Sequence, residues 1–185
     1  MVKLSGMLSQ FDPVHVLVIG DFLLDTYTTG KIKRMSPEAP VPILHVEKEE
    51  NRPGGAGNVV LNLVSLGAQV TAIGRIGYDF AGKWLYDFLE EEGVNVQALL
   101  SQKGYKTPVK NRLIADSQQI LRLDHEEATS LLQNLEKELI QQLPTLLETI
   151  QIVAISDYGK GFLSSALLKA VIQLAKKSSI PVIVD

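Results

Sequence analysis

The sequence predicts an α/β fold: a central, mostly parallel sheet with helices on both faces, and a small antiparallel β-lid beside it. Three observations predict it. Short, β-branched apolar runs alternate along the chain with amphipathic helical stretches, the pattern of a parallel sheet covered on both sides. Two intervening stretches break that alternation with strands that are more polar. Hydrophobic residues make up 45% of the 185 residues, enough for a core in one domain of ordinary size.

The elements follow in order. Val14 to Ile19 is apolar and β-branched, ends at Gly20-Asp21, and reads as a buried parallel strand. Asn58 to Leu66 has helical spacing and stops at Gly67; Val70 to Ile76 is the next strand. Ala81 to Glu92 places Trp84, Leu85, Phe88 and Leu89 on one helical face and stops at Gly93. Ser130 to Leu147 is largely helical with Pro144 interrupting it, and Ile150 to Ile155 is a strand. Ser164 is the N-cap of a helix running to Lys177, and Ile180 to Asp185 begins another apolar strand. The polar strands fall in residues 26–50, where Pro42 to Glu49 alternates, and in 105–124. In the latter, Val109 to Ile114 and Gln119 to Leu123 flank a hairpin turn at Ala115-Asp116-Ser117. These are the lid. The chain stops on a buried-type strand with no covering helix, which reads as the N-terminal portion of a larger single domain.

Composition narrows the partners. Eighteen Lys and Arg against 21 Asp and Glu give a net charge of −3, without the basic stripe of a nucleic-acid binder. Cysteine is absent, which excludes disulfides and thiolate zinc sites and fits the cytoplasm. Met1 to Pro13 has one lysine and no long apolar core, a poor signal peptide. No apolar run approaches the roughly 20 residues that span a bilayer.

Five segments carry the candidate chemistry. Arg52-Pro53-Gly54-Gly55-Ala56-Gly57-Asn58 leads into a helix; it is either a turn or a place where backbone approaches a ligand closely. It is not a Walker A loop, because no Gly-Lys-Ser/Thr follows, and residues 21–53 separate it from the first strand, unlike a dinucleotide fingerprint. Asp21 and Asp25 follow the first strand, where ligands of open α/β sheets bind; each carboxylate either accepts from sugar hydroxyls or caps the loop. Arg34-Met35-Ser36-Pro37-Glu38-Ala39-Pro40-Val41-Pro42 is a proline-stiffened loop carrying a cation, a hydroxyl and a carboxylate. Lys110 and Arg112 project from one face of a strand and Arg122 lies on its neighbour: an ordinary charged face or a cluster converging on a sugar phosphate. Ser156-Asp157-Tyr158-Gly159-Lys160-Gly161 follows a strand; it is either a plain βα turn capped by Asp157, or a place where Asp157 orients a metal–nucleotide and Lys160 reaches a phosphate. His15, His45 and His125 have no metal-like spacing.

Pro53-Gly54-Gly55-Ala56-Gly57-Asn58, with Asn62, Gly67, Gly74 and Gly77, resembles the N-terminal signature of the ribokinase-like (PfkB-type) carbohydrate kinases. The resemblance covers about residues 14–185. Gly20-Asp21, Leu24-Asp25, the Ser36-Pro37-Glu38-Ala39-Pro40 segment, Leu121-Arg122-Leu123-Asp124 and Ser156 to Gly161 narrow it to the kinase domain of the bacterial D-glycero-β-D-manno-heptose 7-phosphate kinases. The resemblance implies a ribokinase-like fold with its C-terminal part absent from these residues. It implies ATP- and Mg²⁺-dependent phosphorylation of the sugar's O1 in the lipopolysaccharide heptose route, and a homodimer through the lid. It places Asp21, Asp25, Gly54, Gly55 and Asn58 on the sugar; Arg34, Ser36, Glu38, Lys110 and Arg112 around the substrate under the lid; and Asp157 and Lys160 toward the metal–phosphate side.

The family's catalytic base is the Asp of a Gly-Ala-Gly-Asp segment. Here Gly55-Ala56-Gly57 is followed by Asn58, whose carboxamide cannot take a hydroxyl proton. No catalytic residue is therefore expected among the 185, and these residues alone are expected to be inactive. The alternatives are a kinase of the same fold for fructose, ribose or a nucleoside, and a non-catalytic sugar-phosphate-binding or assembly module.

Overall fold

The computed structural model describes residues 13–185. The expectation that Met1 to Pro13 is not a signal peptide concerns residues that, apart from Pro13, lie outside them.

The element order is β1 (His15–Gly20), β2 (Phe22–Met35), β3 (Pro42–Gly55), α1 (Ala56–Ser65), β4 (Gln69–Gly77), α2 (Phe80–Glu91), β5 (Asn95–Gln102), β6 (Val109–Ala115), β7 (Gln118–His125), α3 (Gln133–Leu146), β8 (Ile152–Ser156), α4 (Ser165–Lys177) and β9 (Val182–Val184). Five strands form one sheet in the order β5-β4-β1-β8-β9, every pairing parallel. Along β1 the side chains alternate between two layers. Val16 and Val18 pack with Val60 of α1 and Leu85 and Leu89 of α2. Leu17 and Ile19 pack with Leu139 and Leu143 of α3 and Leu167 and Val171 of α4. A strand apolar at every position is what a sheet covered on both faces requires.

The other four strands form the lid, in the order β3-β2-β6-β7. Its two outer pairings are antiparallel, as expected. The central one is not: β2 pairs with β6 in parallel, Asp25 opposite Lys110 and Tyr27 opposite Arg112. The lid is thus a mixed sheet, because its two hairpins are joined through the core rather than by a turn.

β2 leaves β1 across the single residue Asp21 and carries the chain from core to lid. Its 14 residues exceed what alternation alone suggested, because Thr, Lys and Gly interrupt the apolar pattern. β3 likewise continues through Arg52 to Gly55, so the first two glycines of the cluster are paired strand residues. β5 was not expected either; its Val96, Ala98 and Leu99 are buried between polar Asn95, Gln97 and Ser101. α3 starts at Gln133 rather than near Ser130, and Pro144 sits in its last turn without ending it. Other expectations hold. Gly67 and Gly93 follow their helices with φ of 88° and 79°, and the Ser164 side chain accepts from Leu167 N–H at 3.0 Å. Asp116 and Ser117 both have positive φ, as a two-residue hairpin turn demands. Among the described residues no helix is long and apolar enough to cross a membrane.

Candidate functional site

Residues that pair across neighbouring strands share a face. One face of the lid therefore presents Asp25 and Tyr27 of β2, Arg52 of β3, Lys110 and Arg112 of β6, and Arg122 and Asp124 of β7. The inner part of this face and the start of α1 enclose a cleft of about 290 Å³. It is lined by Asp25, Tyr27, Arg52, Gly55, Asn58, Lys110, Arg112 and Tyr158, with Leu23 and Pro53.

Asp25 anchors the cleft. Arg112 Nη1 donates to its Oδ1 at 2.5 Å. Tyr27 lies between two guanidiniums, with the carbon of Arg112 5.2 Å and that of Arg52 5.5 Å from its ring centroid, within cation–π range. A Cβ on Gly54 would stand 2.3 Å from Asp25 Oδ2, and one on Gly55, where φ is +57°, 2.4 Å from the Asp21 carbonyl oxygen. The paired glycines let the β3–α1 junction close against both aspartates. Three cations, Arg52, Lys110 and Arg112, thus face the single carboxylate Asp25. A larger hollow of about 590 Å³ under the opposite lid face carries Glu49, Asp79, Glu126 and Glu127 against Lys106 and His125, a poor setting for an anion.

Asp21 is used differently from its place in the sequence reading. It is 3% exposed, and its Oδ2 accepts from the backbone N–H of Tyr158 at 3.0 Å and of Lys160 at 2.9 Å. Burial pushes its carboxyl above the ordinary aspartate value; the Lys160 and Tyr158 amides pull the other way, and nearby Asp157 adds to the rise. Asp21 holds a turn and does not line the cleft. Asp157 caps the same turn, accepting from Gly159 N–H at 2.8 Å. Lys160 pairs with Glu126 at 2.8 Å, and Glu126 lies 4.0 Å from Lys110.

Of the residues singled out from sequence, Asp25, Gly55, Asn58, Lys110 and Arg112 line this cleft, and Gly54 backs onto Asp25. Arg122 shares the lid face opposite Arg112 but is exposed and chelated by Asp124 at 2.7 and 2.9 Å. Arg34, Ser36 and Glu38 do not reach the cleft of their own chain. Arg34 lies nine residues beyond Asp25 on β2, about 30 Å away at ~3.3 Å per residue. Ser36 and Glu38 form the hairpin tip, where Ser36 Oγ accepts from Glu38 N–H at 3.2 Å. Tyr27 and Arg52 were missed as site residues. Arg52 directly precedes the glycine pair, and Tyr27 is two residues from Asp25, so a strand at β2 would have put it on the same face. Among the described residues no group of three or more His, Asp or Glu converges as a metal site.

A family profile described as "pfkB family carbohydrate kinase" matches residues 15–185. The Bifunctional protein HldE of Campylobacter jejuni (strain 81116) is 48% identical over 178 residues, 96% of this chain and 37% of that protein. Those of Helicobacter hepaticus and Magnetococcus marinus are 43% and 40% identical, covering 92% and 98% of this chain and 35% and 38% of theirs. The chain therefore spans a little over a third of these relatives' length. Among solved structures, the tetrameric inhibited form of phosphofructokinase-2 from Escherichia coli superposes with a TM-score of 0.66 at 21% identity, over 94% of this chain and 55% of that one. The ribokinase of Cryptococcus neoformans in complex with ADP gives 0.60 at 24%, over 92% and 48%. At these identities the structures speak for the fold: it is ribokinase-like.

Proposed function

Because the chain belongs to the pfkB family of carbohydrate kinases, we propose that its reaction is ATP-dependent phosphorylation of O1 of D-glycero-β-D-manno-heptose 7-phosphate, giving the 1,7-bisphosphate. The observation that carries the substrate is the charge of the cleft, with Arg52, Lys110 and Arg112 around Asp25. A neutral sugar needs acceptors for its hydroxyls and gains nothing from surplus cations. A sugar phosphate needs both, and guanidiniums supply the fork that phosphate oxygens take. In this reading Asp25 and Asn58 hold hydroxyls, the Gly54-Gly55 backbone lies against the ring, and Lys110, Arg112 and Arg52 meet the phosphate. Asp157 and Lys160 lie toward the ATP and Mg²⁺ side. The HldE name of the relatives supports a heptose over fructose, ribose or a nucleoside.

Calorimetric titration of the 185-residue chain tests this. Heptose 7-phosphate is expected to bind at least tenfold tighter than the unphosphorylated heptose. Equal affinity, or preference for fructose, ribose or a nucleoside, overturns it. The transfer needs a base at the accepting hydroxyl, and no Gly-Ala-Gly-Asp segment occurs in these residues. Binding without turnover is therefore expected of them alone, and steady ADP release with MgATP and heptose 7-phosphate would refute that.

We also propose a cytoplasmic homodimer built through the lid. Met35, Val41, Val46 and Leu121 of the lid are 50% exposed or more. A second copy packed there would give Arg34, Ser36 and Glu38 a cleft to reach. Analytical ultracentrifugation reads this directly: a dimer for the wild type, a monomer for Val46→Glu. A wild-type monomer at micromolar concentration would rule it out.

A further inference from the structure

Arg75, in the middle of β4, is the largest side chain that the fold buries completely, with 1% exposure. A buried guanidinium requires several acceptors; here Gln102 Oε1 lies at 3.5 Å from Nη1, and the closer ones are carbonyls from two segments far apart in sequence. Nη1 donates to the Ser130 carbonyl at 3.0 Å. Nη2 donates to the carbonyls of Thr129 at 2.7 Å and Lys160 at 3.1 Å. The guanidinium also stacks on Tyr105, 3.8 Å from its ring centroid.

The backbone of Lys160 is held on both sides of its Cα. Its N–H goes to the Asp21 carboxylate at 2.9 Å and its C=O to Arg75 at 3.1 Å. Asp21 and Arg75 are therefore linked through the two peptide groups that flank Lys160. The same turn packs backbone to backbone on the chain leaving the lid: Leu131 N–H donates to the Gly161 carbonyl at 3.2 Å. A Cβ on Gly161, where φ is +86°, would meet the Thr129 oxygen at 2.3 Å. Glu126, at the other end of that lid exit, holds the Lys160 ammonium.

We infer that Arg75 is a positioning residue for the sugar-phosphate cleft: it sets the Tyr158–Gly161 turn, and through it the Tyr158 wall of the cleft, against the chain that leaves the lid. Its functional half rests on the sugar-phosphate reading above; its structural half does not. Lysine at this position keeps the charge but loses the planar fork that reaches three carbonyls. In Arg75→Lys the Tyr158 and Lys160 amides are expected to exchange with solvent at least tenfold faster in the ligand-free protein, read by NMR. Heptose 7-phosphate affinity is expected to fall about tenfold with Tyr158 present and less than twofold in a Tyr158→Ala background. If Arg75→Lys does not fold, Gly161→Ala displaces the same turn while sparing Arg75, and the same amides are expected to lose protection. Unchanged exchange at Tyr158 and Lys160 with only a lower Tm would make Arg75 a mere filler of the core. An equal affinity loss with and without the Tyr158 side chain would place its action elsewhere. Either result overturns the inference. Should the wild type bind no sugar phosphate, the functional reading falls, and amide exchange alone decides whether Arg75 sets the turn.

Discussion

In the five-stranded sheet, β1 keeps Val16, Leu17, Val18 and Ile19 at 3% exposure or less; at the far edge of the lid, β7 leaves every residue from Gln118 to His125 exposed. The backbone geometry is the same and its use is opposite. The core strands spend both faces on apolar contact, which holds the molecule together. The lid strands spend one face on charged side chains, Asp25, Arg52, Lys110, Arg112, Arg122 and Asp124. The border between the two regimes is Asp21. Before it the chain is apolar on both sides; four residues after it, Asp25 and its strand neighbours make the cleft. Stability and binding should therefore separate by sheet.

The largest expected effect lies in the core. Leu17→Ala removes a side chain with no exposed surface and should destabilise by about 3–4 kcal/mol in urea unfolding, within the usual range for buried leucines. A loss below ~1 kcal/mol would mean the two helical layers are not as tightly joined at β1 as described. Next is Arg112→Ala, which strips Asp25 of its partner and the cleft of a fork. Affinity for heptose 7-phosphate should drop at least tenfold, in line with hydrogen bonds to charged groups, while the urea midpoint moves much less than for Leu17→Ala. The reverse ranking would erase the distinction between the sheets.

Asp21 tests the border itself. Its carboxyl is raised above the ordinary value of 3.8, so the folded state binds its proton more tightly than the unfolded chain. That contribution is full below the unfolded pKa and is lost as pH rises through the folded one. Asp21→Asn keeps an acceptor for the turn amides and cannot ionise. The Tm difference between Asp21→Asn and wild type should therefore shift in favour of the variant as pH rises from 4 to 7. Parallel Tm curves would show that burial does not burden this carboxylate. The smallest effect belongs to Arg122→Ala. Its pair with Asp124 is exposed at the lid edge, where solvent screens it; affinity should change less than threefold.

How much of this was legible before the structure differs by region for the same reason. β1, β4 and β8 announce themselves because burial on both faces leaves unbroken apolar runs. β2 does not, since Thr26, Thr28, Lys31 and Lys33 suit a half-solvated strand and read equally as loop. Without β2 there was no basis for placing Tyr27 beside Asp25, or Arg34 so far from it. The glycine pair was visible as a close approach, but not that the approach is to Asp25 and Asp21. Arg75 carried no local signal at all. Its importance lies in the carbonyls of residues 129, 130 and 160, which only the fold brings to it.

The parallel pairing of β2 with β6 also fixes an order of events. The hairpins β2–β3 and β6–β7 can each close over short stretches of chain, but parallel neighbours cannot be joined by a turn. The chain between them must first pass through α1, β4, α2 and β5. Bringing Asp25 beside Lys110 is thus a contact of long sequence separation, of the kind that forms late. The group of Arg52, Lys110 and Arg112 around Asp25 is complete only where segments distant in sequence meet, so the cleft belongs to the folded chain and to no single hairpin.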